Sequence, residues 1–229
     1  MSACGKSRLK FLFAAGVDSL RIGVVPGYFF HHLQPPVHAA VMSALDTLKG
    51  LGAKIVDVDI DNIHGNISAQ LTIESAEPST YHQRWLREQP QNYGADVRTL
   101  LEVGEMLLAT HYLQAQRYRT LLRNEFMAAF RKVDVFLCPT LPFTATRVGE
   151  MKVVIENGVE EDMLSAIMQY TGVPSLTGLP SLAVPCGFDP DGLPIGMQII
   201  GKPFDEATLF RVGAAYQGVT DFHRRAPTL

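Results

Sequence analysis

Residues 177–206 read TGLPSLAVPCGFDPDGLPIGMQIIGKPFDE, and their Gly and Pro residues fall where two apolar strands must be joined by a tight turn. The runs SLAVPCGF (181–188) and PIGMQIIG (194–201) bracket Asp189-Pro190-Asp191-Gly192, in which Pro pre-sets φ and Gly accepts a positive one. Upstream, a short helix is expected around Met163 to Tyr170, an exposed polar insertion from Glu156 to Asp162, and a loop from Thr140 to Gly149. VDVFLCPTLP (133–142) reads as a buried strand that leaves the core at Pro139. Downstream, a final helix from about Asp205 to Gln217 places Leu209, Val212 and Tyr216 on one side.

Residues 20 to 60 form the clearest unit. LRIGVV is apolar and rich in β-branched residues, as suits a buried strand. Pro35 and Pro36 mark a helix start, and Val37, Ala40, Val41, Ala44, Leu45, Leu48 and Leu51 follow at spacings of three and four, on one stripe. Gly50 and Gly52 end the helix, and AKIVDVDI is the returning strand. Strand, helix, strand predicts a right-handed crossover between parallel strands. No GxGxxG loop follows the first strand, so nothing makes this a dinucleotide-binding unit. Residues 64 to 132 read as a helical lobe, with breaks at Glu88 to Asn92 and near Thr110. The fold class is therefore α/β: a mostly parallel central sheet flanked by helices, plus that lobe. No internal repeat or low-complexity segment occurs.

Of 229 residues, 47% are hydrophobic and 19% charged, with a net charge of −3, which suits a globular chain and offers nucleic acid no charge-based attraction. Three widely spaced cysteines, Cys4, Cys138 and Cys186, argue against a disulfide framework and for a reducing, cytoplasmic compartment. MSACGKSRLKFLFAAG has a basic stretch and an apolar run, but the run is too short for a secretory signal and nothing reaches the ~18 residues of a membrane span. Gly5-Lys6-Ser7 lacks the earlier glycine of a phosphate loop. Residues 1–19 are read as an N-terminal extension.

The 177–206 segment resembles the C-terminal signature of the amidase signature family. LRIGVVPGYF (20–29), YLQAQRYR (112–119) and VDVFLCPTLP resemble further family segments in family order, so the likeness runs from about Leu20 to Gln217. It implies a truncated amidase signature fold over 20–229, hydrolysis of carbon–nitrogen amide bonds, a small-molecule amide substrate, and no metal or organic cofactor. The family's nucleophilic serine lies in a Gly/Ser-rich segment with a catalytic lysine upstream. Neither segment occurs in these 229 residues. No catalytic residue is therefore assigned, and the missing N-terminal half, or self-association, is the expected partner.

The resemblance leaves the substrate side of the site, for which Thr140, Thr171, Ser175 and Thr177 are the candidates. Family members commonly have asparagine where Ser175 falls. The chain is also similar to the amidase-type, glutamine-using subunits of glutamyl-tRNA(Gln) amidotransferases. Those usually carry an arginine near Thr99 or Leu100 and an aspartate near Met168, and both charges are absent here. A desolvated site holds a charged head group poorly without opposite charges, so a neutral or apolar amide is expected.

Other chemistries are weighed beside this one. Cys138 and Cys186 lie inside apolar strand patterns, where a small buried residue is the ordinary explanation. The seven histidines lack the paired spacing of a zinc site on one helix. Arg117, Arg119, Arg123 and Arg131 alternate with apolar residues and read as a solvated helix face. A non-catalytic small-molecule binding or interaction module derived from an amidase is the alternative.

Overall fold

The computed structural model describes residues 16–227. The N-terminal readings on residues 1–15, and Cys4 with them, lie outside the described residues. Strand β1 (Arg21–Val24) runs into a single helical turn, α1 (Pro26–Phe29), and then α2 (Pro35–Gly50), with Pro35 and Pro36 in the first turn where a missing N–H costs nothing. Strand β2 (Lys54–Asp57) closes the unit, and β1 pairs with it in parallel. The lobe is α3 (Asn66–Glu88), α4 (Ala95–Glu105) and α5 (Ala109–Ala129); the breaks fall at 89–94 and at 106–108, the second just before the expected position. Then come β3 (Val135–Pro139), the small strands β4 (Lys152–Val154) and β5 (Glu160–Asp162), α6 (Met163–Thr177), β6 (Ser181–Phe188), β7 (Pro194–Gly201) and α7 (Glu206–Val219).

The five-stranded sheet runs β2-β1-β3-β7-β6. It is mixed, not mostly parallel: β1 pairs in parallel with β2 and β3, whereas β7 is antiparallel to both β3 and β6. The cause is local. Asp189 Oδ1 accepts from the N–H of Asp191 and of Leu193, and Gly192 adopts φ +83°, so the chain reverses within five residues and β6 and β7 can only be antiparallel neighbours. Strand β7 then lies between β3 and β6.

Helices cover both faces. On one, α2 and α7 pack: Leu209 sits against Gly201, and Gly213 lets α7 approach Leu182 and Val184. On the other, Phe126 of α5 and Phe130, which caps its C-terminal end, meet Phe136 edge-to-face at 5.2 and 5.1 Å. Buried Ile22, Leu137, Met197 and Ile199 form the centre of the core. The polar stretch 156–162 is largely exposed, as expected, and forms the turn and second strand of the β4–β5 hairpin, while Val153 and Ile155 join Phe143 and Ala166 in a small second cluster. Gln34 ties it down: its Nε2 donates to the Val154 carbonyl at 2.8 Å and its Oε1 accepts from the Thr144 N–H at 3.0 Å. Helix α6 runs about two turns past the expected end and stops at Gly178, whose φ of +66° suits a left-handed C-terminal cap.

Candidate substrate-side site

Three elements present the four candidate hydroxyls, and the fold treats them differently. Thr171 and Thr177 lie in α6 and spend their hydroxyls on the preceding turn, Thr171 Oγ1 donating to the Ile167 carbonyl and Thr177 Oγ1 to the Val173 carbonyl, each at 2.7 Å. Thr177 is fully buried, and its own carbonyl accepts from Arg123 Nη1 at 2.8 Å. Both are helix-internal residues in this structure.

Thr140 continues from the end of β3, its N–H donating to the Gly196 carbonyl at 2.9 Å. Its Oγ1 is buried and has no hydrogen-bond partner among the described residues. Gly196 beneath it has no side chain, and a Cβ there would come within 3.0 Å of that oxygen. A buried hydroxyl with both capacities unspent is costly to leave so, which makes Thr140 the strongest of the four for an external partner.

Ser175 is exposed and lines a groove of about 210 Å³ between α3, α5 and α6, with Gln70, Ile73, Glu74, Glu77, Arg119 and Leu176. The other three candidates do not line it. Its polar wall comes from two helices at helical spacing. Gln70 Nε2 donates to Glu74 Oε1 at 2.7 Å. Glu77 accepts from the Tyr112 hydroxyl at 2.8 Å and from Gln116 Nε2 at 3.2 Å. That bond to Glu77 holds the Tyr112 phenol above its ordinary pKa. The sequence reading missed this wall and placed Arg119 and Arg123 on a solvated face. Both are half-buried and turn toward the last turn of α6, where Arg123 satisfies a terminal carbonyl. The signal was present in the spacing of residues 70, 74 and 77 against 112, 116 and 119.

The groove can hold a polar, uncharged or dipolar group, since it carries carboxylates and a guanidinium together. It contains no nucleophile hydrogen-bonded to a base. Nor do the thiols supply one: Cys138 and Cys186 are buried and free, burial pushes the Cys138 thiol far up and the Cys186 thiol up to about 12, and a neutral thiol is a poor nucleophile. His32 bridges Glu156 (Nδ1, 3.2 Å) and Glu161 (Nε2, 2.5 Å), fastening the β4–β5 hairpin. Among the described residues no group of three or more His, Cys, Asp or Glu side chains could hold a metal ion, and no helix is long and apolar enough to cross a membrane.

Of the positions weighed for an amino-acid head group, Thr99 and Leu100 are exposed on α4 and Met168 is buried in α6.

With this geometry in place, comparison with known proteins defines the class. Residues 6–210 match the Amidase family, and the chain belongs to it. It is 44% identical over 214 residues to an amidase of Pseudomonas putida, covering 93% of this chain and 46% of that protein. It is 38% identical to the A-type component of the glutamyl-tRNA(Gln) amidotransferase of Myxococcus xanthus, covering 94% and 48%. Among solved structures, a crystal structure of an amidase superposes with a TM-score of 0.82 at 28% identity, over 89% of this chain and 46% of that one. A chain of a vestigial protein complex related to an s-triazine catabolic enzyme superposes with a TM-score of 0.81 at 30% identity, over 90% and 44%. The chain thus spans about half the length of the relatives it matches.

Proposed function

We propose that this chain is the substrate-side part of an amidase that hydrolyses carbon–nitrogen amide bonds, and that the Ser-Ser-Lys machinery is supplied by amidase sequence outside these residues. The observation that carries the reading is the pairing of a family match over residues 6–210 with a span under half of the matched relatives. Thr140, with its unspent buried hydroxyl, and Ser175, on its groove, are the residues offered to substrate; Thr171 and Thr177 shape α6 behind them. Thr99, Leu100 and Met168, uncharged where the amidotransferase resemblance would put the charges that hold an amino-acid head group, favour a neutral or apolar amide. A cytoplasmic setting is supported by Cys138 and Cys186 remaining free.

The test is an assay of a simple aromatic amide with the pure chain, alone and mixed with the portion of the Pseudomonas putida amidase that it does not span. Turnover only in the mixture is expected. Efficient turnover by the chain alone overturns the reading. The second reading, a non-catalytic binding module, rests on the groove beside Ser175 and predicts ligand binding with no turnover in either arm.

A further inference from the structure

Both ring nitrogens of His32 face a carboxylate of the β4–β5 hairpin: Nδ1 lies 3.2 Å from Glu156 Oε2, and Nε2 lies 2.5 Å from Glu161 Oε1. An ionised carboxylate only accepts hydrogen bonds, and a neutral imidazole has one donor and one acceptor. Both contacts therefore hold as hydrogen bonds only when the ring is an imidazolium with two N–H groups. His32 stands in the loop between α1 and α2, outside the hairpin that it fastens.

The geometry of the hairpin sets what that fastening controls. Strand pairing places Glu161 opposite Val153, which is buried, so the Glu161 side chain lies on the inward face. Lys152 and Glu160 pair at 2.9 Å on the outward face. Asp162 is committed to the start of α6, where its Oδ1 accepts from the Ser165 N–H at 2.8 Å. Glu156 begins a tight turn in which its carbonyl accepts from the Val159 N–H at 3.2 Å, while Asn157 and Gly158 hold φ of +55° and +72°. Holding the Glu156 carboxylate thus holds the whole turn. From α6, Tyr170 Oη donates to the His32 carbonyl at 2.9 Å and, kept protonated chiefly by burial, brings no charge to the ring. The neighbouring His31 is exposed. The His32 side chain keeps 24% of its surface in solvent, so protons reach it.

We infer that His32 is a proton-operated latch: as the imidazolium it grips both glutamates and pins the hairpin, and as the neutral ring it keeps Glu161 and lets Glu156 and its turn go. Glu156 is the one released because its contact is longer and its side chain more exposed, 46% against 32% for Glu161. Nε2–H then stays with Glu161, and the Nδ1 lone pair faces a carboxylate that repels it. The latch is therefore shut on the acid side of the change in charge and open on the basic side, a change that histidine in general makes between about pH 5 and 8. The hairpin forms one wall of a cleft of about 1,020 Å³, with Arg147, Met151 and Lys152 along it, so release widens the mouth of that cleft. The latch does not depend on where the catalytic residues come from.

The test uses the whole chain and NMR: ring-nitrogen shifts give the protonation and tautomer of His32, and protection factors report the hairpin amides against those of β6 and β7. Between about pH 5.5 and about pH 8 the hairpin should lose protection at least about fivefold, in step with His32, while β6 and β7 stay constant. Above the transition the remaining ring proton should sit on Nε2. Glu156→Gln is the discriminating variant, because its side-chain amide can donate to the neutral Nδ1 and should keep the hairpin protected at about pH 8. His32→Gln, which does not titrate, should give equal protection at both pH values, and His31→Gln should respond like the parent. The inference is overturned by equal hairpin protection at both pH values in the parent, by a loss that tracks His31, by a parent-like response in Glu156→Gln or His32→Gln, or by a remaining proton on Nδ1. The parent series alone decides the question if a variant does not fold.

Discussion

Gln198 Nε2 donates at 3.1 Å to the carbonyl of Tyr170, the carbonyl that Pro174, four residues on in α6, has no N–H to serve. A proline inside a helix leaves one acceptor stranded, and here a buried amide on β7 reaches across to take it. The same side chain accepts from Ser181 Oγ at 3.2 Å and lies 3.4 Å from the Pro139 carbonyl. One residue thus ties α6, β3 and β6 together beneath the candidate site.

Gln198→Leu should cost about 1–3 kcal/mol, because it strands buried acceptors rather than removing both partners of a bond. Urea denaturation measures it. Adding Pro174→Ala restores a helical N–H for Tyr170, so the double variant should recover about 1 kcal/mol of the loss. Strict additivity would show that the Tyr170 contact carries no weight.

Gly104→Ala is expected to destabilise by about 2 kcal/mol, the opposite of the usual helix-propensity gain. A Cβ at 104 would overlap the Ser75 carbonyl oxygen and Ser79 Oγ, where α4 crosses α3 with Ser79 donating to the Leu101 carbonyl. A thermal midpoint equal to or above the parent's would contradict this crossing.

The Asp134 carboxyl lies below its ordinary pKa, chiefly through its hydrogen bonds with Arg21, at 2.7 Å to Nη2. A depressed folded pKa gives stability that is fully present above the unfolded value, near pH ~3.9, and is lost as pH falls through the folded value. Asp134→Asn should therefore flatten the acid limb of the stability curve below about pH 4 and leave its slope near neutrality unchanged. An unaltered acid limb would rule out this linkage.

Alkylation gives an independent check on the thiols. Cys138 and Cys186 should resist iodoacetamide at about pH 8 in the native chain and react fully in denaturant, as read by peptide mapping. Rapid native labelling of either would reopen thiol chemistry.

Much of the fold is legible because its signals are local. Pro35-Pro36, the stripe from Val37 to Leu48, and the Asp189–Gly192 turn each name their element from a few neighbouring residues. Strand order is not local. The turn already required β6 and β7 to be antiparallel, yet only the register shows that β7 inserts beside β3 and makes the sheet mixed. The candidate hydroxyls divide for a related reason: whether a threonine bonds its own helix, as Thr171 and Thr177 do, depends on α6 continuing through Gly172 and Pro174, residues that ordinarily announce an end. The wall of Glu74, Glu77 and Arg119 required two helices in contact, a relationship absent from either helix alone.

Because β7 occupies the slot between β3 and β6, a ribosome delivers the sheet out of spatial order. The β2-β1-β3 portion emerges more than fifty residues before its fourth strand, so a nascent chain must shelter the bare flank of Val135–Pro139 until Pro194–Gly201 has been synthesised. Stalling within that interval leaves a hydrophobic ribbon open to aggregation or chaperone capture, whereas completing β7 closes it from both sides at once.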